Sequence, residues 1–152
     1  MKAELIALGI HQAIVNNFQK FNFDKSKDGI LELECNNGEF AAFLKEQGVA
    51  KYHGTDNNPD NIEACKAAVD GYSRRFHVAD PTTEEALSHK SDLLVCTDII
   101  PWDKIKSGQA IAVVTKGFKD WGDACLALAP LVAEGAGTIQ FNDYFLTVGY
   151  RK

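Results

Sequence analysis

The chain has 152 residues, enough for one domain and too few for two ordinary ones. With 45% hydrophobic and 24% charged residues it is ordinary globular material that can bury a core without staples. The balance of 16 basic against 21 acidic side chains gives a formal net charge of −5, which argues against nucleic acid as a partner, because such affinity comes from neutralising phosphates.

No apolar run approaches the ~20 residues a membrane span needs. Residues 1–9 carry Lys2 and Glu4 and lack the apolar stretch of a signal peptide, so neither a membrane nor export is expected. Cys35, Cys65, Cys96 and Cys125 are scattered without paired spacing. They read as free thiols of a cytoplasmic protein and not as metal ligands. His11, His53, His77 and His89 show no ligand spacing either and read as structural or surface residues, so no metal site is expected.

In chain order, Leu5, Ile6, Leu8, Ile10, Ile14, Val15 and Phe18 recur at helical steps, predicting an N-terminal helix within residues 1–21. A polar connection leads to Gly29–Glu34, whose alternation suits a strand, and Glu39–Gln47 is a helical run stopped by Gly48. Lys51–Asp56 is a second strand, and Asn58-Pro59-Asp60 opens a helix running to about Val69. Arg75–Ala79 is a third strand, followed by a short acidic helix over Glu84–Ser88 capped by Thr82 or Thr83. Leu93–Thr97 and Gln109–Thr115 are apolar strands of the doubly covered kind, with a brief helix or turn over Pro101–Lys106 between them. Asp120–Ala133 reads as helix despite Pro130, and the chain ends in a hairpin of Gly137–Asn142 and Tyr144–Arg151 that turns at Asn142-Asp143. Strands alternating with helices predict an α/β fold with a doubly wound, mostly parallel sheet and a C-terminal antiparallel β-hairpin. One domain spans residues 1–152, its core at 29–152.

Sheets of this kind bind ligands at the carboxyl ends of their strands. Four segments fall there: Glu32-Leu33-Glu34-Cys35-Asn36-Asn37-Gly38, Gly54-Thr55-Asp56-Asn57-Asn58-Pro59, Val78-Ala79-Asp80, and Asp92 to Ile100 with Asp98 near its end. Together with Ile105-Lys106-Ser107-Gly108-Gln109 they resemble, in order and spacing, the motifs of the class I S-adenosylmethionine-dependent methyltransferase family. The resemblance covers about Gly29 to Lys152 and implies the Rossmann-like methyltransferase fold with S-adenosylmethionine as cofactor.

On that resemblance Gly38 and the loop before it, with Glu32, Glu34, Cys35 and Asn36, would pass beside the methionine part of the cofactor. Asp56 would accept hydrogen bonds from the ribose hydroxyls, Asp80 would face the adenine amino group, and Asn57 would stand where the family often stacks an apolar residue on adenine. Asp98 would line the methionine end and is the best candidate for a general base. Two of the three family glycines are replaced here, by Glu34 and Asn36. Plainer readings stand beside these: Asp56, Asp80 and Asp98 can each cap the segment that follows, and Glu32 can organise the loop.

Glu34 and Glu39 beside the loop would repel a pyrophosphate, so a dinucleotide cofactor is disfavoured, whereas a sulfonium is not. Two functions are therefore expected: methyl transfer from S-adenosylmethionine to an unidentified small-molecule or protein acceptor, or an inactive methyltransferase-like binding or regulatory module. A protein partner or a homodimer is a further expectation, and whether a partner chain completes the acceptor surface is left open by the sequence.

Overall fold

The computed structural model describes residues 3–72, 75–89, 91–116, 123, 127–131 and 137–152. Helix α1 is Ala3–Asn16, followed by turns to residue 22. Strand β1 (Gly29–Leu33), helix α2 (Glu39–Glu46), strand β2 (Lys51–Asp56), helix α3 (Pro59–Ala68) and strand β3 (Phe76–Val78) come next. Strands β4 (Leu93–Thr97), β5 (Ala110–Lys116), β6 (Gly137–Phe141) and β7 (Tyr144–Tyr150) complete the sheet. Among the described residues no helix is long and apolar enough to cross a membrane.

The seven strands lie in the order β3-β2-β1-β4-β5-β7-β6. The first five run parallel, and β7 enters antiparallel between β5 and β6. The doubly wound sheet and its terminal hairpin are thus as the alternation of elements predicts. The chain reverses winding direction between β1 and β4, and an open sheet offers its ligand crevice at that switch. Both central strands are buried along most of their length, which is why their sequences read as near-continuous apolar runs.

Register divides the core in two. Ile30, Tyr52, Phe76, Leu93, Val95, Ala112 and Val114 face one side, where α1, α2 and α3 supply Ile10, Ile14, Phe40, Leu44, Ile62 and Cys65. Leu31, Leu33, Leu94, Cys96, Ile111 and Val113 face the other, covered by Ala79, Ala86, Ile105, Leu128 and Leu131. Each fully buried aliphatic side chain contributes roughly 1.5–3 kcal/mol, so both layers are needed.

Local signals set the helix ends. Asn58 accepts a hydrogen bond from the Asp60 N–H (2.9 Å) while Pro59 occupies the first turn. Helix α2 ends with Gly48 at φ 83, where Val49 N–H returns to Leu44 O (3.0 Å) and Gly48 N–H to Lys45 O (3.1 Å), the paired closure a left-handed glycine permits.

Two expectations are corrected or left aside. Residues 84–88 form turns and not a helix: Asp80 and Thr83 take up the local donors, and Leu87 N–H and Ser88 N–H reach back only three residues, to Glu84 O and Glu85 O. The helix expected at Asp120–Ala133 lies mostly outside the described residues; near its end, 128–130 is a turn and Leu131 bridges Arg151.

Candidate functional site

The loop between β1 and α2 carries the first group of expected residues. Glu34, Asn36 and Gly38 have φ values of 61°, 50° and 86°, so all three positions where the family resemblance places glycine adopt the left-handed conformation. For Glu34 and Asn36 this conformation is unfavourable, by roughly 1 kcal/mol or more for a residue with a Cβ. The surroundings over-determine it. Cys35 N–H donates to Thr55 O (2.9 Å), Asn36 N–H to Asp56 Oδ2 (2.9 Å), Gly38 N–H to Cys35 O (3.0 Å), and the Cys65 thiol to Asn36 O (3.0 Å). At Gly38 a Cβ would also meet Cys65 Sγ and Val69 Cγ2 at 3.3 Å, so the retained glycine stands where there is little room for a side chain.

Glu32 and Tyr52 explain the glycine of the second segment. The Tyr52 hydroxyl donates to Glu32 Oε1 at 2.6 Å, passing over Gly54, where a Cβ would lie 2.5 Å from that hydroxyl. Burial pushes the Glu32 carboxyl up to about 8, the Tyr52 bond opposing and the Asp56 charge adding to the shift. Glu32 is therefore largely protonated at neutral pH.

Asp56 stands at the end of β2 as expected, but its carboxylate faces inward. It is 3% exposed, with Oδ2 accepting from Asn36 N–H and Oδ1 from Asn58 N–H (2.9 Å) and Asn61 Nδ2 (3.2 Å). In this structure it braces the loop, a different task from presenting a carboxylate to a ribose. Asp80 is exposed, and its Oδ1 accepts from the Thr82 hydroxyl (2.6 Å) and N–H (2.8 Å), which hold it below the usual carboxylate range. It caps the turn that follows, the plainer of its two readings. Asn57 is exposed. Asp98 is exposed at φ 60 and accepts from Lys116 N–H at 3.1 Å, tying the ends of β4 and β5 together.

These carboxylates act on one another. The Glu34 carboxyl, half-buried, is raised first by burial and then by the charges of Asp56, Asp98 and Asp80. The rim of the crevice therefore has a negative field, hospitable to a cation and hostile to a phosphate.

Beside the loop, a cavity of about 470 Å³ opens between α1 and the strand ends, a size that suits a small-molecule site. Glu32, Cys35 and Asn36 line it with Asn37, while Glu34, Gly38, Asp56, Asn57, Asp80 and Asp98 lie outside the lining. Its other walls were missed in the sequence: Ile10, His11 and Ile14 from α1, Phe40 from α2, Thr97 from β4 and Tyr144 from β7. The His11 ring lies 4.9 Å from that of Phe40, and burial lowers its pKa although Glu39 raises it. The helical pattern places Ile10 and Ile14 on the apolar face, but no sequence rule says that this helix crosses the strand ends. Lys116 Nζ lies 5.5 Å from the centre of the Tyr144 ring, on the hairpin side.

Cys35, Cys65 and Cys96 are free thiols, as expected, and the Cys35 and Cys65 sulfurs are 3.8 Å apart. The histidines correct the sequence reading. His53, His77 and His89, far apart in the chain, come together on the opposite face of the sheet from the cavity.

No protein-family model matches the sequence, and no curated protein matches it. Solved structures do. The methyltransferase domain of bacterial CtHen1 is similar over 97% of this chain and 100% of its own, at 12% identity and a TM-score of 0.69. Magnesium protoporphyrin IX methyltransferase from Synechocystis, solved with bound S-adenosylmethionine, is similar over 95% of this chain and 81% of its own, at 13% identity and a TM-score of 0.66. An RNA methyltransferase from Salinibacter ruber, in complex with S-adenosylhomocysteine, is similar over 92% and 90%, at 11% identity and a TM-score of 0.60. At these identities the likeness is one of architecture: the chain has the class I S-adenosylmethionine-dependent methyltransferase fold.

Proposed function

We propose that the chain is an S-adenosylmethionine-dependent methyltransferase whose acceptor enters the cavity between α1 and the strand ends. The observation that carries this reading is the loop of Glu34, Asn36 and Gly38, which holds three left-handed turns although two of its residues are not glycine. Here Asp56, Thr55 and Cys65 hold them.

The residues present fit the cofactor's charge. S-adenosylmethionine supplies an electrophilic methyl group on a sulfonium, beside an ammonium and a carboxylate. Glu34 and Asp98 would offer negative charge to the cationic groups, and Asn36 and Asn37 would offer side-chain amides to the carboxylate. Ile10, Ile14, Phe40 and Val95 give the acceptor side apolar walls, and a methyl transfer gains chiefly from alignment of the reacting groups. His11 lines the cavity, and burial favours its neutral form. It is the better placed group to take a proton from the acceptor, ahead of Asp98 at the exposed rim.

The similar structures act on unlike acceptors by their names, a magnesium porphyrin in one and RNA in another, so the fold does not choose the substrate. The acidic rim here favours a neutral or cationic acceptor over a polyanion. The inactive-module reading rested on the two lost glycines and on the lack of a substrate-recognition insertion. The loop keeps its left-handed conformation at both positions, which weakens the first of these grounds. The test is amide chemical-shift mapping with S-adenosylhomocysteine. Saturable shifts centred on Asn36, Asn37 and Gly38 support the proposal, and an unperturbed loop at millimolar ligand refutes it.

A further inference from the structure

On the sheet face away from the cavity, β2 contributes His53, β3 contributes His77, and the connection from β3 to β4 lays His89 over them. The rings stack nearly parallel: His53 to His89 at 4.3 Å and 11°, His77 to His89 at 4.6 Å and 14°, His53 to His77 at 5.8 Å and 21°. One nitrogen from each ring lies within 4.8 Å of the other two. His53 Nδ1 and His77 Nε2 are buried without a hydrogen-bond partner, and so is the hydroxyl of Thr55, which pairs with His77 across the strands. Buried polar atoms without partners are unfavourable unless something fills the site.

We propose that His53, His77 and His89 form a binding site for a late first-row divalent cation, with zinc as its representative. Imidazole nitrogens suit zinc, nickel and copper, whereas magnesium and calcium require oxygen ligands, and this cluster contains no carboxylate. Zinc–nitrogen bonds of about 2.0–2.1 Å in tetrahedral geometry place ligand nitrogens roughly 3.3 Å apart. The rings must turn about their side-chain torsions to bring the nitrogens from their present spacing to that value. The positive charges of Arg75 and Lys66 act on His53 and His77 respectively. Their charges oppose an ion held by electrostatics alone and leave direct nitrogen bonds as the means of binding. Three protein ligands leave a fourth position to water, and His89 makes the ion a clamp on the β3–β4 connection.

The test is calorimetric titration of zinc into the full chain after treatment with a chelator. One saturable site per chain in the micromolar range or tighter is expected, with a rise in Tm, since the ion binds only the folded cluster. His77→Ala and His89→Ala should each weaken binding at least tenfold, and His11→Ala should leave it unchanged. His89 sits in a connection, so His89→Gln with an unaltered circular dichroism spectrum separates loss of a ligand from loss of the fold. Absence of saturable binding, affinity unchanged in both histidine variants, or affinity lost in Cys65→Ser with the histidines intact would each overturn the proposal.

Discussion

The backbone N–H of Asn36 donates to the carboxylate of Asp56 at 2.9 Å, joining the loop after β1 to the end of β2. That bond couples the two segments from which the candidate crevice is built, and Asp56 adds Asn58 N–H and Asn61 to the same carboxylate.

Replacing Asp56 with alanine removes the acceptor for two backbone donors at a site 3% exposed. Unfolding in urea should show a loss of about 2–4 kcal/mol, the range for stranded buried donors. Loop amide shifts should move with it. A loss below ~0.5 kcal/mol would contradict the bracing role.

Glu32 gives the fold a pH dependence. Its folded pKa is raised from 4.5 to about 8, so between those values the folded state holds a proton that the unfolded state has released. The stabilising contribution is full below 4.5 and is lost as pH rises through 8, at up to about 1.4 kcal/mol per pH unit. Glu32→Gln keeps an acceptor for the Tyr52 hydroxyl and has no proton to lose. It should flatten this part of the stability profile and be the more stable protein near pH 8, as chemical denaturation across pH 5–8 would show.

Gly38 combines φ 86 with contacts that a Cβ would tighten to 3.3 Å against Cys65 and Val69. Gly38→Ala should destabilise by about 1–3 kcal/mol. The same substitution at Gly108, also at φ 86 but with open space around it, should have the smaller effect.

Glu34→Gly relieves a left-handed turn and a repelled carboxyl, against the greater chain entropy of glycine. A net gain of about 0.5–1 kcal/mol in thermal or urea unfolding is expected. Asn36→Gly should be nearly neutral, because asparagine tolerates this conformation best among non-glycine residues.

The sequence made the sheet legible because apolar strands such as Leu93–Thr97 and signals such as Asn58-Pro59 and Gly48 act locally. The strand-end acids were legible as positions, since Asp56, Asp80 and Asp98 follow strands. Their orientations were not. Whether Asp56 faces outward or into the loop depends on where Asn36 N–H and Asn61 lie, which is settled by packing between segments. His11 and Tyr144 escaped for a related reason, since they reach the cavity through the placement of α1 and β7 and not through any motif. The three-histidine cluster needed strand register: His77 comes level with Thr55, one strand over from His53, only once β2 and β3 are paired.

The central claim is that this loop, with Glu34 and Asn36 in place of glycines, still admits a sulfonium nucleoside. Isothermal titration of the chain with S-adenosylmethionine and S-adenosylhomocysteine tests it most directly. Saturable 1:1 binding with Kd on the order of 1–100 μM, weakened at least tenfold by Asp56→Ala, is the expected result. No detectable heat from either ligand at millimolar concentration, in the wild-type chain and in the Glu34→Gly, Asn36→Gly double variant alike, would contradict it.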